Sequence, residues 1–156
     1  MSRGRRPESV IVLIMRADGQ TLMLERADWP GFWQSVTGGV EWQEDYAAAA
    51  RRELEEETSL QPQRLEDRRS CRRFEIFPEY RYKYPQHIRY NDEHEFVAWV
   101  AADAPVRITP REHSAWRWMH PLEAAEATLS WSNREALLRW HWETQASQHA
   151  DASVNK

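Results

Sequence analysis

Four glutamates, Glu53, Glu55, Glu56 and Glu57, fall within little more than one helical turn of GGVEWQEDYAAAARRELEEETSL, residues 38 to 60. Like charges three or four positions apart destabilise a helix by about 0.2–0.5 kcal/mol per pair, so the cluster opposes folding unless something offsets it. One offset is a solvated face flanked by Arg51 and Arg52, the ordinary meaning of such a run. The other is a metal ion. At about 100° per residue, Glu56 lies about 60° to one side of Glu53 and Glu57 about 40° to the other, whereas Glu55 points nearly opposite. Three carboxylates therefore converge and one diverges. Tyr46, Ala47, Ala50 and Leu54 recur at helical spacing on an adjoining arc, which sets the carboxylates at the rim of a packed face where a cleft can form.

Patterning indicates the elements that must position this helix. SVIVLIM and TLMLER, joined by RADGQ, read as two strands of a hairpin turning at Asp18-Gly19. ADWPGFWQS is a loop broken by Pro30 and Gly31, and VTGGVEWQ is a glycine-bearing loop that feeds the helix DYAAAARRELEEE. Its run of alanines favours helix and permits close approach to a sheet. After Pro62, CRRFEIFPEYRYKY and HEFVAWVA are predicted strands, and RIT and SAWRWMH continue the sheet. PLEAAEATL and SNREALLRWHWETQ are helical, the second with capping-box spacing from Ser132 to Glu135. The sequence predicts one α+β domain over residues 1–145 and a mobile tail over 146–156, which lacks apolar content.

A chain of 156 residues suits a single core. Its formal net charge of −4 argues against a general affinity for nucleic acid. A single cysteine, Cys71, excludes an internal disulfide framework and fits a reducing, cytoplasmic setting. The apolar run VIVLIM is too short for a secretory signal, and no run reaches membrane-spanning length, so no membrane partner is expected. The nine tryptophans are expected largely in the core or at its rim. His87, His94, His113, His120, His141 and His149 have no zinc-like spacing and read as surface or packing residues.

Gly38, Glu44, Arg52, Glu53, Leu54, Glu56, Glu57 and Leu60, at these spacings, resemble the Nudix box. The departure is Ser59, where the usual box has glycine; it bears on the helix exit, not on the metal ligands. The resemblance implies a Nudix fold, an α/β/α sandwich with a mixed sheet and a catalytic loop-helix-loop. It implies hydrolysis of a nucleoside diphosphate linked to another group, or of something similar, with Mg²⁺ or Mn²⁺ held by box glutamates. Glu53, Glu56 and Glu57 are then the catalytic metal ligands, a backbone oxygen near Thr37 and Gly38 adds another, and Glu55 is dispensable. Arg52 is expected to pair with Glu56 or Asp45, and Glu44 to support the helix start through the dipole. Glu53 or a residue outside the box is the candidate base.

Outside the box, RRP, LMLER followed by FWQSVTG, FEIF, TPREH and SWSNR resemble the dihydroneopterin triphosphate pyrophosphatases, the bacterial folate-pathway branch of that family. That resemblance adds Glu112 to the metal ligands and assigns substrate contacts to Arg5, Arg26, Thr37, Phe74, Glu75, Ile76, Phe77 and Ser130. Arginines suit a triphosphate, hydroxyls add hydrogen bonds, and FEIF offers an aromatic face with a carboxylate for the amino-pyrimidinone edge of a pterin. Blander readings stand beside these. Arg5 fits a disordered basic tail equally well, one or more FEIF side chains should be core, Trp131 and Asn133 fit packing and helix-start roles, and Glu112 fits a solvated loop. The expected partner is a small-molecule triphosphate. The preferred activity is Mg²⁺-dependent conversion of 7,8-dihydroneopterin 3′-triphosphate to the monophosphate and pyrophosphate. A pyrophosphatase for ordinary or oxidised (d)NTPs needs the same metal site, because guanine shares the pterin edge. A degenerate Nudix binding module is the non-enzymatic alternative, against which the intact glutamate set argues.

Overall fold

The computed structural model describes residues 4–154 of the chain. Its strands are β1 (Glu8–Met15), β2 (Thr21–Arg26), β3 (Trp33–Gln34), β4 (Val36–Gly39), β5 (Arg64–Glu75), β6 (Tyr90–Trp99) and β7 (His113–Met119). Its α-helices are α1 (Tyr46–Thr58), α2 (Pro121–Ala127) and α3 (Trp131–Val154). β1 is buried from Val10 to Met15, and a strand apolar on both faces needs cover on both. It supplies the centre of a mixed seven-stranded sheet, parallel to β6 and antiparallel to β4 and β2. Val10, Val12 and Ile14 pack on the α1 side with Ala49, Ala50 and Leu54. Leu13 and Met15 pack on the opposite side with Ala124, Ala136, Leu137 and Trp140 of α2 and α3. The result is the expected α/β/α sandwich.

The α1 boundaries arise locally. Asp45 Oδ1 accepts the Ala48 N–H at 2.7 Å, which caps the helix start. At the other end Ser59 adopts φ 64° and donates its N–H to the Glu55 carbonyl at 2.8 Å. Ala50 and Leu54 are buried as the apolar arc predicts, but Ala47 is exposed and Ala49 takes its place.

Several expectations are corrected. Residues 107–109 add no strand; Ile108 packs against the α1-side core while the Arg107 N–H donates to the Thr58 carbonyl. FEIF is split, because β5 ends at Glu75 and Pro78 opens a 3₁₀ turn (Pro78–Lys83) in which a missing N–H does no harm. The cap of α3 is Ser130, whose Oγ accepts the Asn133 N–H at 3.3 Å; Ser132 lies inside the helix, and Glu135 pairs with Arg72 instead of closing a capping box. The stretch from residue 146, read from composition as a tail, continues α3 as helix to Val154, and Asn155 and Lys156 lie outside the described residues. Trp29, Trp42, Trp116, Trp131 and Trp142 are exposed, so burial accounts for fewer tryptophans than expected. Among the described residues, no helix is long and apolar enough to cross a membrane.

Candidate active site

The loop before α1 and the inner turn of α1 are in direct contact. A β-carbon at Gly38 would come within 2.0 Å of the Glu53 carboxyl carbon, so the glycine is required for this carboxylate to sit against β4. Arg52 fixes the arrangement. Its Nε and Nη2 each donate to Glu44 at 2.8 Å, Nη2 also donates to the Gly39 carbonyl at 2.9 Å, and Nη1 reaches Glu53 at 2.8 Å and Glu56 at 3.3 Å. The sequence expectation for Arg52 is thus half met. It pairs with Glu56, but its principal partner is Glu44 rather than Asp45, which is occupied as the helix cap. Glu44 acts through Arg52 and through the Glu41 N–H, not on the dipole alone.

Glu57 is 7 % exposed and its Oε2 is buried without a hydrogen-bond partner. Burial pushes its carboxyl up to about 9; the charges of Glu53 and Glu112 add to the rise, and the Thr37 N–H opposes it. Burial likewise raises Glu53, which Arg52 pulls back down and Glu56 and Glu112 push up again. Glu112 enters from the loop before β7, anchored by its carbonyl to the Ala27 N–H at 2.9 Å and by its own N–H to the Thr109 carbonyl at 2.9 Å. Glu55 is exposed on the far side of α1, as the helical angles predict.

These groups share one cleft of about 960 Å³, lined by Gly38, Glu53, Glu56, Glu57 and Glu112 together with Arg5, Arg6, Arg52, Trp42 and Thr109. Within the described residues, no three metal-binding side chains stand at mutual ligand distance. Acceptor-only groups repel one another, and here the Arg52 guanidinium grips two of them. The donor set still fits a hard divalent cation: it is all oxygen, one oxygen is an orphan, and Glu57, Glu53 and Glu112 feel one another's charge.

The family profile of the NUDIX domain matches residues 5–140. The chain belongs to the NUDIX family. Over 138 residues it is 38% identical to the dihydroneopterin triphosphate diphosphatase of Escherichia coli K12, covering 85% of this chain and 91% of that protein. The Haemophilus influenzae protein of the same name is 38% identical over 146 residues, covering 90% of each chain. The solved structure of the E. coli dihydroneopterin triphosphate pyrophosphohydrolase superposes with a TM-score of 0.74 at 37% identity, covering 88% of this chain and 97% of that one. Nudix hydrolases generally use a divalent metal, which accords with the oxygen-only donor set of this NUDIX domain.

Other residues assigned from the sequence are dispersed around the NUDIX core. Arg5 lines the cleft, and its backbone N–H donates to the Lys83 carbonyl, so it is not a loose tail residue. Arg26 is held by Asp28 through two bonds of 2.8 Å and lies over the Phe32 ring. Thr37 meets Glu57 through its backbone N–H. Phe74 is half-buried, Glu75 is exposed and pairs with Arg81 at 2.7 Å, Ile76 is core, and Phe77 is 69 % exposed beside Tyr80. Ser130 caps α3 and sits 3.2 Å from Ser132 Oγ. His113 is buried against Gln34, and its burial lowers its pKa. Arg6 was missed; it holds the carbonyls of Glu41 at 3.0 Å and Glu44 at 2.8 Å, and its only sequence signal is its place beside Arg5 in RRP.

Proposed function

We propose that this NUDIX protein is a cytoplasmic, Mg²⁺-dependent pyrophosphohydrolase that converts 7,8-dihydroneopterin 3′-triphosphate to dihydroneopterin monophosphate and pyrophosphate. The observation that carries the substrate is near-full-length similarity, at 38% identity, to two proteins named for that activity. The acidic cleft and the adjoining arginines support the reaction class.

Glu53, Glu56, Glu57, Glu112 and the Gly38 carbonyl are the groups we assign to hold the cation; Mn²⁺ has the same oxygen preference. When bound, Mg²⁺ neutralises polyphosphate charge and lowers the pKa of a water. Arg52 orients Glu53 and Glu56 while its bond to the Gly39 carbonyl keeps α1 and β4 in register. Arg5, at the cleft wall, binds phosphate oxygens through charge-assisted hydrogen bonds. Glu53 accepts the proton of the attacking water, whose oxygen bonds to phosphorus as one phosphoanhydride bond breaks and pyrophosphate departs.

A substrate panel tests this reading. Pyrophosphate release from dihydroneopterin triphosphate, GTP, dATP and 8-oxo-dGTP is expected to show the highest kcat/KM for the pterin. A higher value for any nucleotide overturns it in favour of a nucleotide-pool enzyme.

A further inference from the structure

On the sheet face that packs against α3, the row Gly39, Ser9, Glu93 crosses β4, β1 and β6, and Arg72 of β5 stands beside Glu93. Its two ends differ. Gly39 borders the cleft, and a β-carbon added there would meet nothing within 4 Å, so the row begins as an open shelf of small residues. It ends at Glu93, which is 5 % exposed and whose Oε1 is buried without a hydrogen-bond partner. The neighbouring cation is turned elsewhere through two of its nitrogens, Arg72 Nη1 donating to Glu95 at 2.6 Å and Nε to Glu135 at 3.2 Å, while its buried Nη2, like Glu93 Oε1, makes no hydrogen bond. Burial accordingly raises the Glu93 pKa, with the Ser132 hydroxyl and then Arg72 opposing the rise. A buried acceptor left unmade is unfavourable for folding, and the metal chemistry described above makes no use of this one.

We propose that Glu93 reads the substrate ring, accepting hydrogen bonds from the ring N–H and the exocyclic amino group of an amino-pyrimidinone that lies on the Gly39–Ser9 shelf. This rests on the pterin reading given above. An ionised carboxylate only accepts, and it takes two parallel donors well. A pterin offers that donor pair at N3–H and the 2-amino group, whereas adenine sets an acceptor beside its amino group. From Gly39 to Glu93 the shelf spans two strand spacings, about 10 Å, which suits a bicyclic ring. The Asn91 amide donates to Ser9 Oγ at 2.8 Å and fixes the floor. Ser132 yields to the ring edge because Ser130 Oγ, 3.2 Å away, offers its hydroxyl a second partner. Glu75, the carboxylate that FEIF assigns to this task, is exposed and ion-paired with Arg81.

The test combines a variant with a substrate analogue. Wild-type enzyme with Mg²⁺ is assayed on dihydroneopterin triphosphate, its N3-methyl analogue and ATP. If ATP is the better substrate, the functional reading fails, whatever Glu93 does. If the pterin is preferred, Glu93→Gln is expected to lower the pterin-to-ATP ratio of kcat/KM by about 100-fold, the effect of removing charged hydrogen bonds. The N3-methyl analogue is expected to show a similar loss with the wild type and no further loss with the variant. An unchanged ratio in the variant, or full activity on the methylated ring, overturns the proposal. Should the variant misfold, the methylated ring assayed with wild-type enzyme decides alone.

Discussion

Glu57 concentrates the electrostatic stress of the cleft in one side chain. Its carboxyl is raised from 4.5 to about 9 by burial and by the charges of Glu53 and Glu112. The folded-state value lies above the unfolded one, so its stabilising effect on the metal-free protein is full below about pH 4.5 and is lost as pH rises through about 9. Wild type minus Glu57→Gln stability, measured by thermal melts in EDTA, should therefore fall steadily across that window. Added Mg²⁺ should restore wild-type stability at the alkaline end and leave the variant little changed. In the same variant kcat should drop at least about 100-fold with the fold intact, since even groups placed behind metal ligands contribute about 10- to 100-fold. Unchanged turnover would remove Glu57 from the metal site and revive the binding-module alternative.

At the scale of the element, the loop-helix-loop is legible because its determinants are local. The divergence of Glu55 follows from helical spacing alone, and the Asp45 cap and the need for glycine beside Glu53, which the structure adds, also lie within residues 38–60. Ser59 is a local rule broken: it holds φ 64° where the usual box has glycine, a conformation that strains any side chain with a β-carbon. Its hydroxyl recovers only a 3.3 Å contact with the Arg107 carbonyl. Ser59→Gly is expected to stabilise the fold by about 1 kcal/mol, read by urea denaturation. A loss of stability would mean that the Arg107 contact outweighs backbone strain. Less legible were the RIT segment and the start of α3. Three residues with a single apolar side chain, Ile108, cannot distinguish a strand from a packed loop, and two serines two positions apart compete for one cap.

At the scale of the molecule, Glu95 joins layers that are far apart in sequence. It is fully buried on β6 and accepts from Arg72 of β5 at 2.6 Å, while Arg68 stands at 3.4 Å and Arg139 of α3 at 3.7 Å. Glu95→Ala leaves these arginines facing a buried gap, so the expected loss is about 3–5 kcal/mol in equilibrium denaturation. A change below about 1 kcal/mol would show that water or neighbouring acids replace it.

The contrast between Glu57 and Glu93 separates what sequence alone determined from what required the fold. The box, its helix, the cluster of Glu53, Glu56 and Glu57, and the family itself were set by the order of residues along one short segment, because helical geometry relates neighbours at fixed angles. The partners of Arg26, the split of FEIF, the exposure of Glu75 and the burial of Glu93 were decided only by the tertiary structure. In β5 the pairing shifts between Asp67 and Cys71, with Arg69 at φ 52°, and everything beyond that irregularity takes its face from it. A strand has a period of two, so one unforeseen residue of register exchanges core for solvent along its whole length.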